Sequence, residues 1–185
     1  QTIVFEKGGK LFTFDAQTRE VTEVPVTINN DMVHAREDLV DASKDINSAS
    51  LAPEGKRILF SARGELFSVP ADEGITYNHT RSSGAHDRDA EYSPDGKWMA
   101  WLSDQSGEYE VWVQKATGEG EPRQLTSGAK TYKFNMQWSP DSRYIAWNDQ
   151  HFKLNVTEVE SGETTTLAQS DDAPLNDFAW SPDSK

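Results

Sequence analysis

A proline corner that returns at nearly constant spacing constrains this chain more than any other feature. Ser93-Pro94-Asp95-Gly96 is its clearest copy, aligned without gaps to Ala52-Pro53-Glu54-Gly55, Ser139-Pro140-Asp141-Ser142 and Ser181-Pro182-Asp183-Ser184. Successive prolines lie 41, 46 and 42 residues apart. Ser at the first position, Pro presetting φ at the second and Gly at the fourth spell a type I turn. Each corner is followed by an apolar run: Arg57-Ile58-Leu59-Phe60-Ser61, Trp98-Met99-Ala100-Trp101-Leu102, Tyr144-Ile145-Ala146-Trp147. These runs are apolar on both alternating faces, which suits a strand covered on both sides. A period of 40–50 residues with strand content predicts propeller blades, one four-stranded sheet per repeat. A two-sheet sandwich has no reason to repeat one turn at this interval.

The rest of each repeat fits the same scheme. Third strands are expected at Glu65-Leu66-Phe67-Ser68-Val69, Glu110-Val111-Trp112-Val113-Gln114 and Lys153-Leu154-Asn155-Val156-Thr157. More polar outer strands follow at Pro122-Arg123-Gln124-Leu125-Thr126 and Glu163-Thr164-Thr165-Thr166-Leu167, where charge and Thr discourage edge pairing. The expected fold class is all-β: a propeller of four-stranded antiparallel blades, present as an incomplete arc of about four. Residues 1–27 read as strands two to four of a blade. Residues 28–72, 73–127 and 128–169 read as three blades, and 170–185 as the first strand of a further one, around Asp177-Phe178-Ala179-Trp180. The sequence thus reads as a section of a longer chain. Its uncovered blade ends would favour association between copies, alongside the remaining blades and domains of the parent.

Composition removes several function classes. Among 185 residues, 31 acidic against 18 basic side chains leave a net charge of −13, which argues against a nucleic-acid partner. No apolar run approaches the roughly 18–20 residues of a membrane helix, so no membrane insertion is expected and a soluble chain, cytoplasmic or periplasmic, is. The absence of cysteine excludes thiol catalysis and Cys-type zinc sites.

Direct searches for chemistry return little. No serine has the two glycines of a nucleophile elbow, and His34, His79, His86 and His151 form no His-Glu-x-x-His pair. Asp87, Asp89, Asp171 and Asp172 lack the spacing of a calcium loop. No catalytic residue, cofactor or metal is expected within the chain. The six tryptophans recur at repeat positions and read as blade packing. Since first strands line a propeller's central channel, the aligned polar set Ser48, Asp89, Asn135 and Asp177 is expected to face it. Ser50, Glu91, Gln137 and Ala179 form a second aligned set. The loops entering the first strands, with Arg88 and with Tyr132 and Lys133, are the candidate peptide contacts.

Several stretches carry a resemblance. They are Val4-Phe5-Glu6-Lys7-Gly8-Gly9-Lys10-Leu11-Phe12, the run from Gly55-Lys56-Arg57 to Arg63-Gly64-Glu65, Ser103-Asp104-Gln105-Ser106-Gly107-Glu108-Tyr109-Glu110, and Glu121-Pro122-Arg123-Gln124-Leu125-Thr126. With these the chain resembles the tricorn protease family, at the start of its second propeller. The proline corners alone are shared with TolB-type propellers. The resemblance implies a serine peptidase that degrades oligopeptides. Its catalytic Ser and His lie in domains outside the propellers, beside a PDZ-like module, and the second propeller filters or conducts substrate. No catalytic residue of that family falls on this sequence, so this section by itself is expected to be inactive. The other reading is a TolB-like propeller that serves as a protein-interaction scaffold.

Overall fold

The computed structural model describes residues 1–27, 40–175 and 177–184. His34 and Asn176 lie outside the described residues. The chain divides into two compact units, Gln1–Val40 and Asp41–Lys185.

The first unit carries an antiparallel meander of β1 (Thr2–Lys7), β2 (Lys10–Asp15) and β3 (Val21–Val24). Gly8 and Gly9, both at positive φ, form the two-residue turn between β1 and β2, a conformation that matches the strand twist and favours glycine. Phe5 and Phe12 face each other in the β1–β2 register and stack at 5.4 Å. Lys10 and Glu23 pair across β2 and β3.

The second unit holds three four-stranded antiparallel sheets, each running in simple sequence order. The first consists of β4 (Ile46–Leu51), β5 (Arg57–Ala62), β6 (Glu65–Pro70) and β7 (Tyr77–Asn78). The middle sheet is β8 (Asp87–Tyr92), β9 (Trp98–Ser103), β10 (Glu110–Lys115) and β11 (Arg123–Gln124). The third is β12 (Lys133–Trp138), β13 (Tyr144–Asp149), β14 (Lys153–Glu158) and β15 (Thr164–Gln169). These are the blades of a β-propeller, with the second and third strands of each where the apolar runs place them. The expected boundary at residue 72 falls short, because Tyr77 and Asn78 pair with Ser68 and Phe67 and so belong to the blade before them. A two-residue strand inside a polar stretch has no periodicity to read. The segment 177–184, expected to open with a strand, forms none among the described residues. Trp180 instead stacks on Tyr144 and donates its indole N–H to the Gln137 carbonyl at 3.4 Å.

Apolar packing explains the stacking of these sheets. Along β9, Met99 and Trp101 turn one way and Ala100 and Leu102 the other, and all four are buried. Met99 and Trp101 join Leu59, Leu66, Ala90 and Tyr92 in one cluster. Ala100 and Leu102 join Val111, Val113, Met136, Trp138, Ile145 and Trp147 in another. The middle blade therefore buries both faces, each large side chain contributing about 1.5–3 kcal/mol.

The proline corners also meet. Ser93 Oγ donates to the Asp95 carboxylate and accepts from Trp98 N–H, and Ser139 repeats this with Asp141 and Tyr144. Between blades, Asp95 N–H donates to Ser142 Oγ and Asp141 N–H to Ser184 Oγ, each at 3.0 Å. Ser142 and Ser184 adopt positive φ, the conformation Gly96 takes at the equivalent place. The corner's fourth residue thus serves the preceding corner as well as its own.

Candidate functional site

The first strands of the three blades in the second unit are not regular. Against β9, two residues of β8, Asp89 and Ala90, occupy the space of one between the pairs Arg88–Leu102 and Glu91–Ala100. In β12 the same happens with Asn135 and Met136, between Phe134–Asn148 and Gln137–Ala146. Asp89 and Asn135 both sit at φ +52°. Asp and Asn tolerate this left-handed region better than other side-chain-bearing residues, so the polar identity of this position has a backbone cause. In β4 the irregularity comes one residue earlier, between Ile46 and Ser48. Such bulges re-aim the side chains beside them.

A groove of about 470 Å³ runs over these strands, lined by Ser48, Arg88, Asp89, Glu91, Asn135 and Gln137 with Ala49, Ala90, Phe134 and Met136 between them. Three of the four aligned residues expected on the channel, Ser48, Asp89 and Asn135, share this groove. Asp177 is exposed and does not line it. Ser48 Oγ also lies 2.6 Å from Ser61 Oγ and accepts from Ala90 N–H, while Ser50 Oγ accepts from Tyr92 N–H. Both serines therefore join two blades, and Ser48 lines the groove as well.

The expected entry-loop contacts turn out differently. Lys133 is buried: Nζ reaches Glu110 Oε2 at 2.8 Å and the Tyr109 carbonyl at 2.9 Å, and lies 4.9 Å from the Trp147 ring centroid. Glu110 further accepts from Thr126 Oγ1 and Ala129 N–H. Removing either partner of such a buried pair costs about 3–5 kcal/mol, because an uncompensated charge is left behind. Lys133 is thus part of the joint between the middle and third blades, and it does not line the groove. Arg88 is largely committed too. Its guanidinium lies 4.3 and 4.5 Å from the Tyr109 and Tyr132 ring centroids, over two rings that meet edge to face at 5.1 Å, donates to the Lys133 carbonyl and pairs with Asp89. Tyr132 keeps 41% of its surface exposed at the edge of this stack. His86 Nδ1 lies 2.7 Å from Tyr109 Oη and extends the aromatic cluster. The partnership of Tyr109 with Arg88 had no local signal, since 21 residues separate them.

With Arg88 spent on Asp89, Glu91 is the groove carboxyl without a matching cation in the lining. Burial, then the neighbouring Asp89 charge, raises its pKa to about 7. The groove can therefore present a proton donor or an anion near neutrality, beside the polar side chains of Asn135 and Gln137. The sequence placed Glu91 in the second aligned set, but its burial depends on the neighbouring blades.

Comparison with known proteins decides the family. Residues 46–185 match the family described as the tricorn protease second beta propeller domain. The chain belongs to that family. It is 23% identical to tricorn protease homolog 1 of Streptomyces coelicolor, covering 98% of this chain and 18% of that protein. Against the tricorn protease of Thermoplasma volcanium the identity is 24%, covering 100% of this chain and 17% of the other. The chain thus spans less than a fifth of the length of these tricorn relatives. Among solved structures, tricorn protease superposes with a TM-score of 0.67 at 18% identity, over 100% of this chain and 17% of that one. A putative TolB from Agrobacterium tumefaciens gives 0.57 at 22% identity, over 86% and 53%. These structural likenesses show the fold. No helix among the described residues is long and apolar enough to cross a membrane.

Proposed function

We propose that this tricorn second-propeller segment contacts oligopeptide substrates of a tricorn-like serine peptidase on their way to a catalytic domain outside this chain. The observation that carries the reading is the groove itself: Ser48, Asp89 and Asn135 come from three consecutive blades and meet beside Glu91 and Gln137. A strip of donors and acceptors on inner strands suits main-chain amides of any sequence, as a filter for mixed peptides requires. Glu91, uncompensated by Arg88, favours a ligand that brings positive charge, such as a free α-amino group.

The test is turnover by the full-length protein of a long oligopeptide and of a small chromogenic substrate. Glu91→Gln combined with Asn135→Ala is expected to raise KM for the long peptide several-fold and to leave the small substrate unchanged. Equal effects on both, or none on either, would remove the groove from substrate handling and favour a purely interacting propeller.

A further inference from the structure

A second cavity, of about 460 Å³, shares no lining residue with the groove. It lies between β10 and the stretch 79–82 that follows β7. Trp101 and Trp112, directly paired in register across β9 and β10, line it together with Gln114, and Arg81 and Glu121 stand exposed beside them. Its histidine, His79, is held toward the neutral form by burial and then by Arg57, with Nε2 2.7 Å from Ser68 Oγ. Asp87 accepts from Ser82 Oγ at 2.6 Å.

Two buried polar atoms on this lining have no partner. Gln114 is 6% exposed, and its Nε2 donates to the carbonyls of Gly118 at 3.2 Å and Gly120 at 2.6 Å. Those two acceptors fix which end of the side-chain amide is nitrogen, and Oε1 is left with no donor. Trp112 Nε1 is likewise buried with no acceptor. A buried donor or acceptor left in this state costs on the order of 1–3 kcal/mol. A native structure that retains two on one cavity calls for an occupant. The residues stand two apart on one strand, so their side chains leave the same face about 7 Å apart. One trans amide with a hydrogen bond of about 2.9 Å at each end spans a comparable distance.

We propose that this cavity binds a peptide amide, its carbonyl accepting from Trp112 Nε1 and its N–H donating to Gln114 Oε1, with adjoining apolar groups against the indoles. A cavity of this volume falls within the range of small-ligand sites. The site is independent of the groove and stands whether or not the groove handles substrate.

The probe is N-acetylalanine methylamide, added to full-length protein labelled with 5-fluorotryptophan. The Trp112 fluorine line is assigned by its loss in Trp112→Phe. A saturable shift of that line is expected. The analogue in which both amide N–H groups are replaced by ester oxygens, methyl 2-acetoxypropanoate, has no donating N–H and is expected to bind about five- to tenfold more weakly. Gln114→Leu should lower affinity for the amide by a similar factor and leave the ester unchanged, whereas Glu91→Gln should change neither. Competition by free tripeptides would identify soluble peptides as the source of the amide. Binding of the capped probe without such competition would identify an internal segment of a larger chain. No saturable shift, or equal affinity of the unsubstituted protein for amide and ester, would overturn the proposal and assign the cavity to water. The amide–ester comparison needs no substitution, so it stands even if Gln114→Leu fails to fold.

Discussion

The middle blade and the sheet of the first unit are built from similar strands and end in opposite states. Along β9, Met99, Ala100, Trp101 and Leu102 are buried on both faces, because leucines and tyrosine pack on one side and valines and tryptophans on the other. In β1, Ile3 and Val4 also point to opposite faces, yet they stay 54% and 64% exposed. Strand formation follows from local pattern and turn chemistry in both. Burial requires a second sheet of matching shape. A blade is accordingly a unit of hydrogen bonding, and its stability is a property of the stack.

The largest expected effect separates these two regions directly. Trp101→Ala should destabilise the second unit by about 3–5 kcal/mol, by removing an indole from a packed cluster. Ile3→Ala should cost about 0.5 kcal/mol. Chemical denaturation read by a probe local to each unit measures both. Similar losses would mean that the two sheets do not differ as their burial says.

Carboxyl groups give the next contrast, with opposite signs. The Glu91 pKa is raised to about 7 in the folded chain. From the ordinary glutamate range up to pH 7, the folded state holds a proton that the unfolded state has released. Stability therefore falls as pH rises through that window and levels above it. Glu91→Gln should remove this slope and leave the protein about 1–3 kcal/mol more stable than the parent above pH 7, the gain vanishing toward pH 4. Asp15 behaves in reverse. The backbone N–H groups of Thr18 and Gln17 hold its pKa below the usual carboxylate range, so its contribution disappears as pH falls. Denaturation midpoints measured from pH 2 to 9 for Glu91→Gln and Asp15→Asn resolve the two signs.

The smallest effect tests the corner-to-corner bonds. Gly96 stands over Pro53 and Glu54, where Ser142 and Ser184 each accept from the preceding corner. A Cβ there meets Glu54 Oε2 at 3.5 Å and Pro53 Cδ at 3.7 Å, ordinary contacts. Gly96→Ala should cost about 1 kcal/mol for its left-handed backbone. Gly96→Ser should recover most of that by accepting from Glu54 N–H, ending within about 0.5 kcal/mol of the parent. Thermal midpoints of the three proteins check it. Equal values for Ser and Ala would show that the hydroxyl makes no bond.

Much of the architecture was open to a reader of the residues. The corners at Pro53, Pro94 and Pro140 placed each second strand, and apolar runs such as Trp98 to Leu102 announced two covered faces. The short outer strand at Tyr77 and Asn78 was not, because two residues carry no period. The site was legible only in its outline. Aligning the repeats brought Ser48, Asp89 and Asn135 to one position, and the groove collects them. The burial of Lys133 was not legible, because a lysine entering a strand looks the same whether its ammonium meets water or turns inward to Glu110.

Turn type, strand order and the choice of Asp or Asn at the bulge follow from the sequence alone, since they depend on φ preferences and alternation within a few residues. Which charges are spent and which remain was decided only by the tertiary structure. Arg88 is consumed by two tyrosines and Asp89, Lys133 by Glu110, and Glu91 keeps an unmatched carboxyl in a partly dry groove. Desolvation and charge pairing act through space across blades that are dozens of residues apart in the chain, and no local pattern encodes them.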